Sequence, residues 1–164
     1  MRAKLAFGRT FAIPKLREIL NARPKDRVIA APGVYDMVSL RMAAAMGFDA
    51  LYMTGYGAVA SNLGLPDAGL ASYADMVGRV EAMARMAGAP LIADGDTGYG
   101  GLLNVRHAVR GYERAGAAAI QIEDQEFPKK CGHTPDRRVI PADEMVRKIA
   151  VAAEARTRDR RAHV

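Results

Sequence analysis

The chain repeats one local pattern, in which a short apolar run, a helical segment and a glycine are followed by the next apolar run. The four apolar runs are Val28–Ala31, Ala50–Met53, Pro90–Ala93 and Ala118–Ile122. They are continuously apolar rather than alternating, which is typical of strands covered on both faces. Because helices separate the runs, the pattern predicts βαβ units and a parallel sheet with right-handed crossovers. An open doubly wound sheet and part of a barrel both satisfy this pattern.

Helical periodicity fills the spaces between these runs. The predicted helices are residues 14–22, Asp36–Met46, Ser72–Ala87, Leu103–Ala115 and Pro141–Arg156. Ser72 and Asp75 have the spacing of a capping box. Gly47, Gly88 and Gly116 are predicted at helix C′ positions, each followed at once by a strand.

The length of 164 residues supports a single domain and is well short of the roughly 250 residues of a typical (β/α)₈ barrel. We therefore expect one domain over 1–164, with βα units over 28–156 and a basic tail over 157–164. One cysteine excludes a disulfide framework and fits a reducing compartment. No apolar run approaches the roughly 20 residues of a membrane helix, and no secretory signal is evident, so a cytoplasmic protein is expected.

The net charge of +6 belongs to the two ends of the chain. Residues 1–30 carry +6, residues 31–154 carry −3 and residues 155–164 carry +3. The basic ends lack interleaved aromatic residues, and the middle is slightly acidic. A nucleic acid is therefore not expected as a partner.

Carboxylates follow the apolar runs, where the sites of parallel α/β folds lie. Asp94 and Asp96 stand in a glycine-rich turn after the third run, and Glu123 and Asp124 follow the fourth. Hard oxygen ligands of this kind suit Mg²⁺. Asp36, after the first run, is better explained as the start of a helix. The glycines over 95–101 match neither dinucleotide-binding nor P-loop spacing, and two aspartates among them would repel a phosphate.

A second group of reactive residues surrounds the single cysteine. Cys131 lies between Lys129-Lys130 and His133, a setting that favours the thiolate. It would suit a nucleophile or a general acid, and a chance cysteine in a basic loop is the alternative. Zinc is disfavoured because one Cys and one His cannot complete a tetrahedral site.

Four segments, in this order, resemble motifs of the isocitrate lyase and phosphoenolpyruvate mutase superfamily. They are Ser61–Asp67 (SNLGLPD), Ala93–Gly100 (ADGDTGYG), Ile122–Gln125 (IEDQ) and Lys129–His133 (KKCGH). The resemblance covers roughly residues 10–155 and is strongest to the group of 2-methylisocitrate lyases, dimethylmalate lyases and carboxyphosphonoenolpyruvate mutases. It implies an α/β fold, the N-terminal half of a (β/α)₈ barrel with about four βα units and parallel strands.

The resemblance also implies a set of site residues. Mg²⁺, with Mn²⁺ as an alternative, would be held directly by Asp94 and through water by Asp67, Asp96 and Glu123. The implied substrate-binding residues are Thr54, Gly55, Tyr56, Gly132 and His133. The implied catalytic residues are Cys131, Tyr52 and Lys129. No organic cofactor is implied.

The implied reaction is a retro-aldol cleavage of a small 2-hydroxy di- or tricarboxylic acid resembling 2-methylisocitrate, which releases an α-keto acid. Cys131 would protonate the carbanion of the other product. The cysteine disfavours phosphonomutase and hydrolase activities and, less decisively, oxaloacetate decarboxylase activity. Oxaloacetate decarboxylase and phosphonomutase-type activities of the same superfamily stay as alternatives.

The sequence departs from the family at its end. Family members continue with a fifth strand ending in A-R-T-D-A, whereas this chain reads ARTRDRRAHV over 155–164. We therefore expect a truncated chain, resembling a frameshift product, that lacks the C-terminal helices through which family members form homo-oligomers. A noncatalytic half-barrel that binds a partner chain is the alternative to an active lyase.

Overall fold

A computed structural model of the chain describes residues 15–159, with side chains described over 15–156. The helices are α1 (Leu16–Ala22), α2 (Met37–Ala45), α3 (Gly55–Leu63), α4 (Tyr73–Ala84), α5 (Leu102–Arg114) and α6 (Ala142–Asp159). The strands are β1 (Gly33–Val34), β2 (Leu51–Met53), β3 (Leu91–Asp94) and β4 (Ala119–Gln121).

The four strands form one sheet in the order β1-β2-β3-β4, and every neighbouring pair is parallel. The prediction of a parallel α/β sheet is confirmed. The register places Tyr52 beside Ile92, and Ile92 beside Ala119. These residues are only partly buried, while Leu51 and Met53 between them are fully buried. One face of the sheet is thus covered by helices and the other is only partly covered, so the expectation that both faces are covered is met on one face only.

The first strand lies later than predicted. Val28 is 84% exposed, and pairing begins at Gly33, where the chain first reaches the edge of β2. The run Val28–Ala31 is therefore not a strand. Helix α3 was also missed, because Gly55, Gly57 and Gly64 give this segment a low helix propensity. Packing explains Gly57, since a Cβ there would lie 2.6 Å from the Cβ of Tyr35.

Local capping accounts for most of the helix boundaries. Asp36 caps α2 by accepting a hydrogen bond of 2.7 Å from the Ser39 amide, as its interpretation as a helix start predicted. The capping box of α4 is present, with the Ser72 amide donating to the Asp75 carboxylate at 2.8 Å. Gly47 and Gly116 follow the C-caps of α2 and α5 with φ of 76° and 95°. Helix α4 ends at Ala84, so Gly88 lies beyond its C′ position.

The core lies between the sheet and α2 to α5. Its largest fully buried side chains are Val34, Leu40, Leu51, Met53, Val80, Met83, Leu91 and Tyr112. Burial of each aliphatic side chain of this size stabilises the fold by about 1.5–3 kcal/mol. A smaller cluster of Val105, Val109 and Ala155 joins α5 to α6. These contacts fix the helices against the sheet and so fix the loops at its carboxyl edge, where the C-terminal ends of the strands lie.

Two sequence predictions fall wholly or partly outside the described residues. Residues 1–14, which include part of the basic N-terminal segment and the first residue of the predicted helix over 14–22, lie outside them, as do residues 160–164 of the predicted tail. The first part of that tail, residues 157–159, belongs to α6. Among the helices described, none is long and apolar enough to cross a membrane.

Candidate active site

Asp94 ends β3 at the carboxyl edge of the sheet, and its carboxylate is held from three sides. Oδ2 accepts hydrogen bonds from the Gly55 amide at 3.1 Å and from the Tyr52 hydroxyl at 3.3 Å. Oδ1 accepts from the Asp96 amide at 2.9 Å. A Cβ on Gly55 would lie 2.5 Å from Oδ2, so this position requires glycine while Asp94 keeps its place. The carboxylate is therefore fixed by groups from β2, α3 and its own loop.

Tyr52 stands on the open face of β2, surrounded by acidic groups. Its burial raises the pKa of the phenol well above the ordinary value, and the negative charges of Asp94, Glu123 and Asp96 raise it further. The phenol therefore stays protonated at neutral pH and donates to Asp94. Tyr52 is suited to hydrogen-bond donation and not to acting as a base.

Lys129 is a buried cation that joins three of the sequence motifs. Its side chain is 4% exposed, and its ammonium forms ion pairs with Asp67 and Asp96. Burial opposes the charge on Lys129, but the two carboxylates outweigh it and raise the pKa of the ammonium. Burial raises the pKa of Asp96, and Lys129 opposes that shift. The predicted residues Asp67, Asp96 and Lys129 are thus brought together, although Asp67 precedes Lys129 by 62 residues.

Glu123 follows β4 and is tied to the loop of Asp94 through its backbone. Its amide donates to the carbonyl of Asp96 at 2.8 Å. Its carboxylate accepts from Nε2 of Gln125 at 2.7 Å. Gln125 is buried and also exchanges hydrogen bonds with the backbone of Lys130, at 3.0 and 3.2 Å. Gln125 was predicted only as part of the IEDQ motif and without a role of its own, yet its amide connects the segment after β4 to the segment that carries Lys129.

Cys131 and His133 contact each other at the outer side of this edge. The sulfur lies 3.6 Å from Nδ1 of His133, and the cysteine is partly accessible. Gly132 and His133 are exposed. The side chain of Lys129 is directed towards Asp67 and Asp96. Lys129 therefore links the segment of Cys131 and His133 to the carboxylates. A large cleft of about 780 Å³ opens beside Glu123 and Gln125, and Arg137 and Thr134 line its outer wall.

The other predicted substrate-binding residues stand at the start of α3. Thr54 is its N-cap, and Gly55 touches Asp94 as described above. Tyr56 is 58% exposed and, with Thr54 and Tyr35, lines an open pocket of about 470 Å³. Gly55 therefore lies at the carboxylates, while the Tyr56 ring lines the neighbouring pocket.

Comparison with known proteins identifies the family. The family model described as phosphoenolpyruvate phosphomutase matches residues 16–164. The chain belongs to the phosphoenolpyruvate phosphomutase family. 2,3-Dimethylmalate lyase of Eubacterium barkeri is 48% identical to it over 142 residues, which are 87% of this chain and 48% of that protein.

Solved structures of the family have the same fold. Oxaloacetate acetylhydrolase in complex with 3,3-difluorooxalacetate is 43% identical with a TM-score of 0.85, and the match covers 89% of this chain and 49% of that one. Phosphonopyruvate hydrolase in complex with oxalate and Mg²⁺ is 32% identical with a TM-score of 0.69, covering 79% of this chain and 44% of that one. The chain thus spans about half the length of the relatives it matches. The predicted superfamily and its half-barrel architecture are confirmed.

The donor set of the site fits a hard divalent cation of the kind the family implies. Within residues 15–159, no group of three or more His, Cys, Asp or Glu side chains is close enough to surround one ion. Mg²⁺ does not need such a cage, because it is usually bound by one or two carboxylates and completed by water or substrate. Asp94 and Asp96 lie on one loop and present such oxygens. Four carboxylates face this edge with one buried ammonium, so the balance of charge also favours a cation.

Proposed function

We propose that this chain carries the catalytic edge of a divalent-cation-dependent carbon–carbon lyase for a small 2-hydroxy di- or tricarboxylic acid. The observation that carries the proposal is the joining of Asp67, Asp94, Asp96 and Glu123 with Tyr52 and Lys129 at one edge of the sheet. These groups come from five separate segments of the chain, and Cys131 follows Lys129 by two residues.

Asp94 would hold Mg²⁺, or Mn²⁺ in its place, and Asp67, Asp96 and Glu123 would hold its water ligands. When bound, the cation polarises the hydroxyl and carboxylate oxygens of the substrate and stabilises negative charge that develops on oxygen. Tyr52 keeps its proton and donates to Asp94, which orients that carboxylate. Gly55 supports the same oxygen through its amide.

In the cleavage step the bond between the carbinol carbon and the neighbouring carbon breaks. The hydroxyl becomes the keto group of the α-keto acid and would give its proton to the carboxylate of Glu123, which lines the open cleft. The electron pair passes to the leaving carbon, which takes a proton from the Cys131 thiol. Arg137 lines the open cleft, and its guanidinium lies next to Gly132. Arg137, Gly132 and the His133 ring would together bind a second carboxylate of the substrate.

The test uses the full chain with Mg²⁺ and three acids: 2,3-dimethylmalate, 2-methylisocitrate and oxaloacetate. Release of an α-keto acid, trapped as its hydrazone, is expected from one of the hydroxy acids. Cys131→Ser should reduce the rate by about 10²–10⁴, the usual contribution of a general acid. Lys130→Met, at an exposed neighbouring position, is the matched control and should keep the rate.

Equal release by Cys131→Ser and the wild type would exclude the role given to the thiol. Absence of keto acid from both hydroxy acids, in protein shown to bind Mg²⁺, would exclude the lyase. Release of oxalate from oxaloacetate would instead favour the second candidate, hydrolysis of a keto diacid. The likeness to oxaloacetate acetylhydrolase is the observation that favours this candidate.

A further inference from the structure

The backbone that carries Asp94 and Asp96 is held at four consecutive carbonyl groups. Each carbonyl oxygen accepts a hydrogen bond from a different part of the fold. The pairs are Asp94 with the Tyr112 hydroxyl at 3.1 Å, Gly95 with the Gly98 amide at 2.9 Å, Asp96 with the Glu123 amide at 2.8 Å, and Thr97 with Nζ of Lys148 at 2.9 Å. Two of the four donors are side chains, and both lie outside the family motifs.

Tyr112 reaches this loop from α5, behind the site. It is 1% exposed, and its hydroxyl also lies 2.5 Å from the hydroxyl of Tyr99. Since the single proton of Tyr112 is donated to Asp94, Tyr99 must be the donor to Tyr112. The amide of Gly95 donates to the Gln121 carbonyl at 2.8 Å. The peptide bond between Asp94 and Gly95 is therefore held at both its oxygen and its nitrogen.

Lys148 reaches the same loop from α6. Its ammonium contacts the carbonyl of Thr97, a residue that is 2% exposed. Burial lowers the pKa of Lys148, and the charge of Glu144 opposes that shift. Thus Lys148 brings a charged donor to a backbone oxygen, and such a hydrogen bond is stronger than a neutral one.

The conformation of the loop explains why it needs these donors. Asp96 and Tyr99 have φ of 49° and 61°, the left-handed region that non-glycine residues seldom adopt. Backbone in this region persists when surrounding groups over-determine it. Tyr112 and Lys148 supply such contacts just before and just after Asp96.

We propose that Tyr112 and Lys148 are positioning residues that hold the backbone over 94–97 so that the Asp94 and Asp96 carboxylates are preorganised for a divalent cation. Neither residue touches the cation or the substrate. The inference rests on the proposed function for its cation, while its backbone part does not depend on catalysis.

The test compares Tyr112→Phe and Lys148→Met with the wild-type chain. Mn²⁺ affinity is measured by electron paramagnetic resonance, and amide hydrogen exchange of residues 95–98 is measured without metal. Each variant should bind Mn²⁺ about threefold to tenfold more weakly, the range to which the net free energy of one hydrogen bond corresponds. Exchange over 95–98 should accelerate by a similar factor. Lys148→Arg restores a charged donor and should recover part of both properties.

Tyr73→Phe is the matched control, because Tyr73 packs in the same aromatic cluster but its hydroxyl lies against Gly111 rather than the loop. It should keep wild-type Mn²⁺ affinity and exchange. Unchanged affinity and exchange in Tyr112→Phe and Lys148→Met would overturn the inference, as would equal losses in Tyr73→Phe. If the wild type itself binds no Mn²⁺, the proposed function fails, and faster exchange over 95–98 in the two variants alone would still support their role in holding the loop.

Discussion

Replacement of Lys129 by methionine tests the buried ion bridge directly. Methionine keeps the unbranched apolar stem and removes the ammonium. The side chains of Lys129, Asp67 and Asp96 are 4%, 7% and 8% exposed, so two carboxylates would lose their shared cation in a site that water scarcely reaches. Removal of one partner from a buried ion pair costs about 3–5 kcal/mol. Since domains unfold with about 5–15 kcal/mol, Lys129→Met should lose a large part of its stability at pH 7.

The loss should depend on pH with a definite sign. Burial already raises the pKa of Asp96 with Lys129 beside it, and removal of the ammonium raises it further. In the variant the folded state then binds more protons than the unfolded state between the folded and unfolded pKa values, so its stability increases as pH falls through that interval. The difference from the wild type should therefore be smaller at pH 5 than at pH 7, by about 1.4 kcal/mol for each pH unit over which Asp96 is protonated in the folded variant and ionised in the unfolded chain.

Urea unfolding followed by far-UV circular dichroism at both pH values measures these free energies. Lys130→Met is the control, because Lys130 is exposed and its ammonium reaches only a loop carbonyl at 3.4 Å. It should change the free energy of unfolding by less than about 0.5 kcal/mol. A loss below about 1 kcal/mol in Lys129→Met at pH 7 would refute the buried bridge. An equal loss at pH 5 and pH 7 would refute the electrostatic explanation.

Two further predictions concern the loop and the tyrosines. Gly98→Ala should lower the free energy of unfolding by about 1–3 kcal/mol, because φ is 86° there and a Cβ would lie 2.6 Å from Val105 Cγ2. Thermal unfolding measures this change, and Gly101→Ala is the control, because a Cβ there meets open space. Equal melting temperatures for the two variants would contradict the prediction. Burial raises the pKa of Tyr52, Tyr99 and Tyr112, so these phenols should stay protonated in the folded protein while unfolded chains ionise near pH 10. The free energy of unfolding should therefore decrease as pH rises above about 10. Tyrosinate absorbance at 295 nm should appear for these three residues only when the protein unfolds. Complete ionisation of all tyrosines before unfolding would be evidence against their burial.

The sequence predicted the elements whose signals are local. Strands β2, β3 and β4 were predicted because each is a short apolar run bounded by a glycine or proline. Helix α2 begins where Asp36 caps it, and α4 where Ser72 and Asp75 form their box. The position of β1 was predicted wrongly and α3 was not predicted, because neither element has a local sequence signal. An apolar run that stays exposed and a glycine-rich segment that becomes helical are both decided by tertiary packing, which local patterns do not contain.

The candidate site also combines residues that the sequence assigns with contacts that only packing determines. Resemblance to a family assigned Lys129, but its burial between Asp67 and Asp96 depends on how distant segments meet. Lys129 and Lys130 are equivalent in the sequence, yet of these two only Lys129 is buried among carboxylates. Tyr112 lies in the helix predicted over Leu103–Ala115, and its ring packs in the core. Its hydroxyl contact with Asp94 could not be predicted, because a side chain can serve the core and the loop at once.

The distance along the chain between Asp67 and Lys129 has a consequence for how the protein is made. At synthesis rates of about 5–20 residues per second, the 62 residues that separate them take about 3–12 s to appear. Strand β2 and Asp67 exist throughout that interval, β3 and Asp96 are added about halfway through it, and the Lys129 ammonium comes only at its end. In the nascent chain Asp67 and Asp96 must therefore stay hydrated until Lys129 is added. The buried ion pairs at the carboxyl edge of the sheet are thus the last contacts of this region that can form.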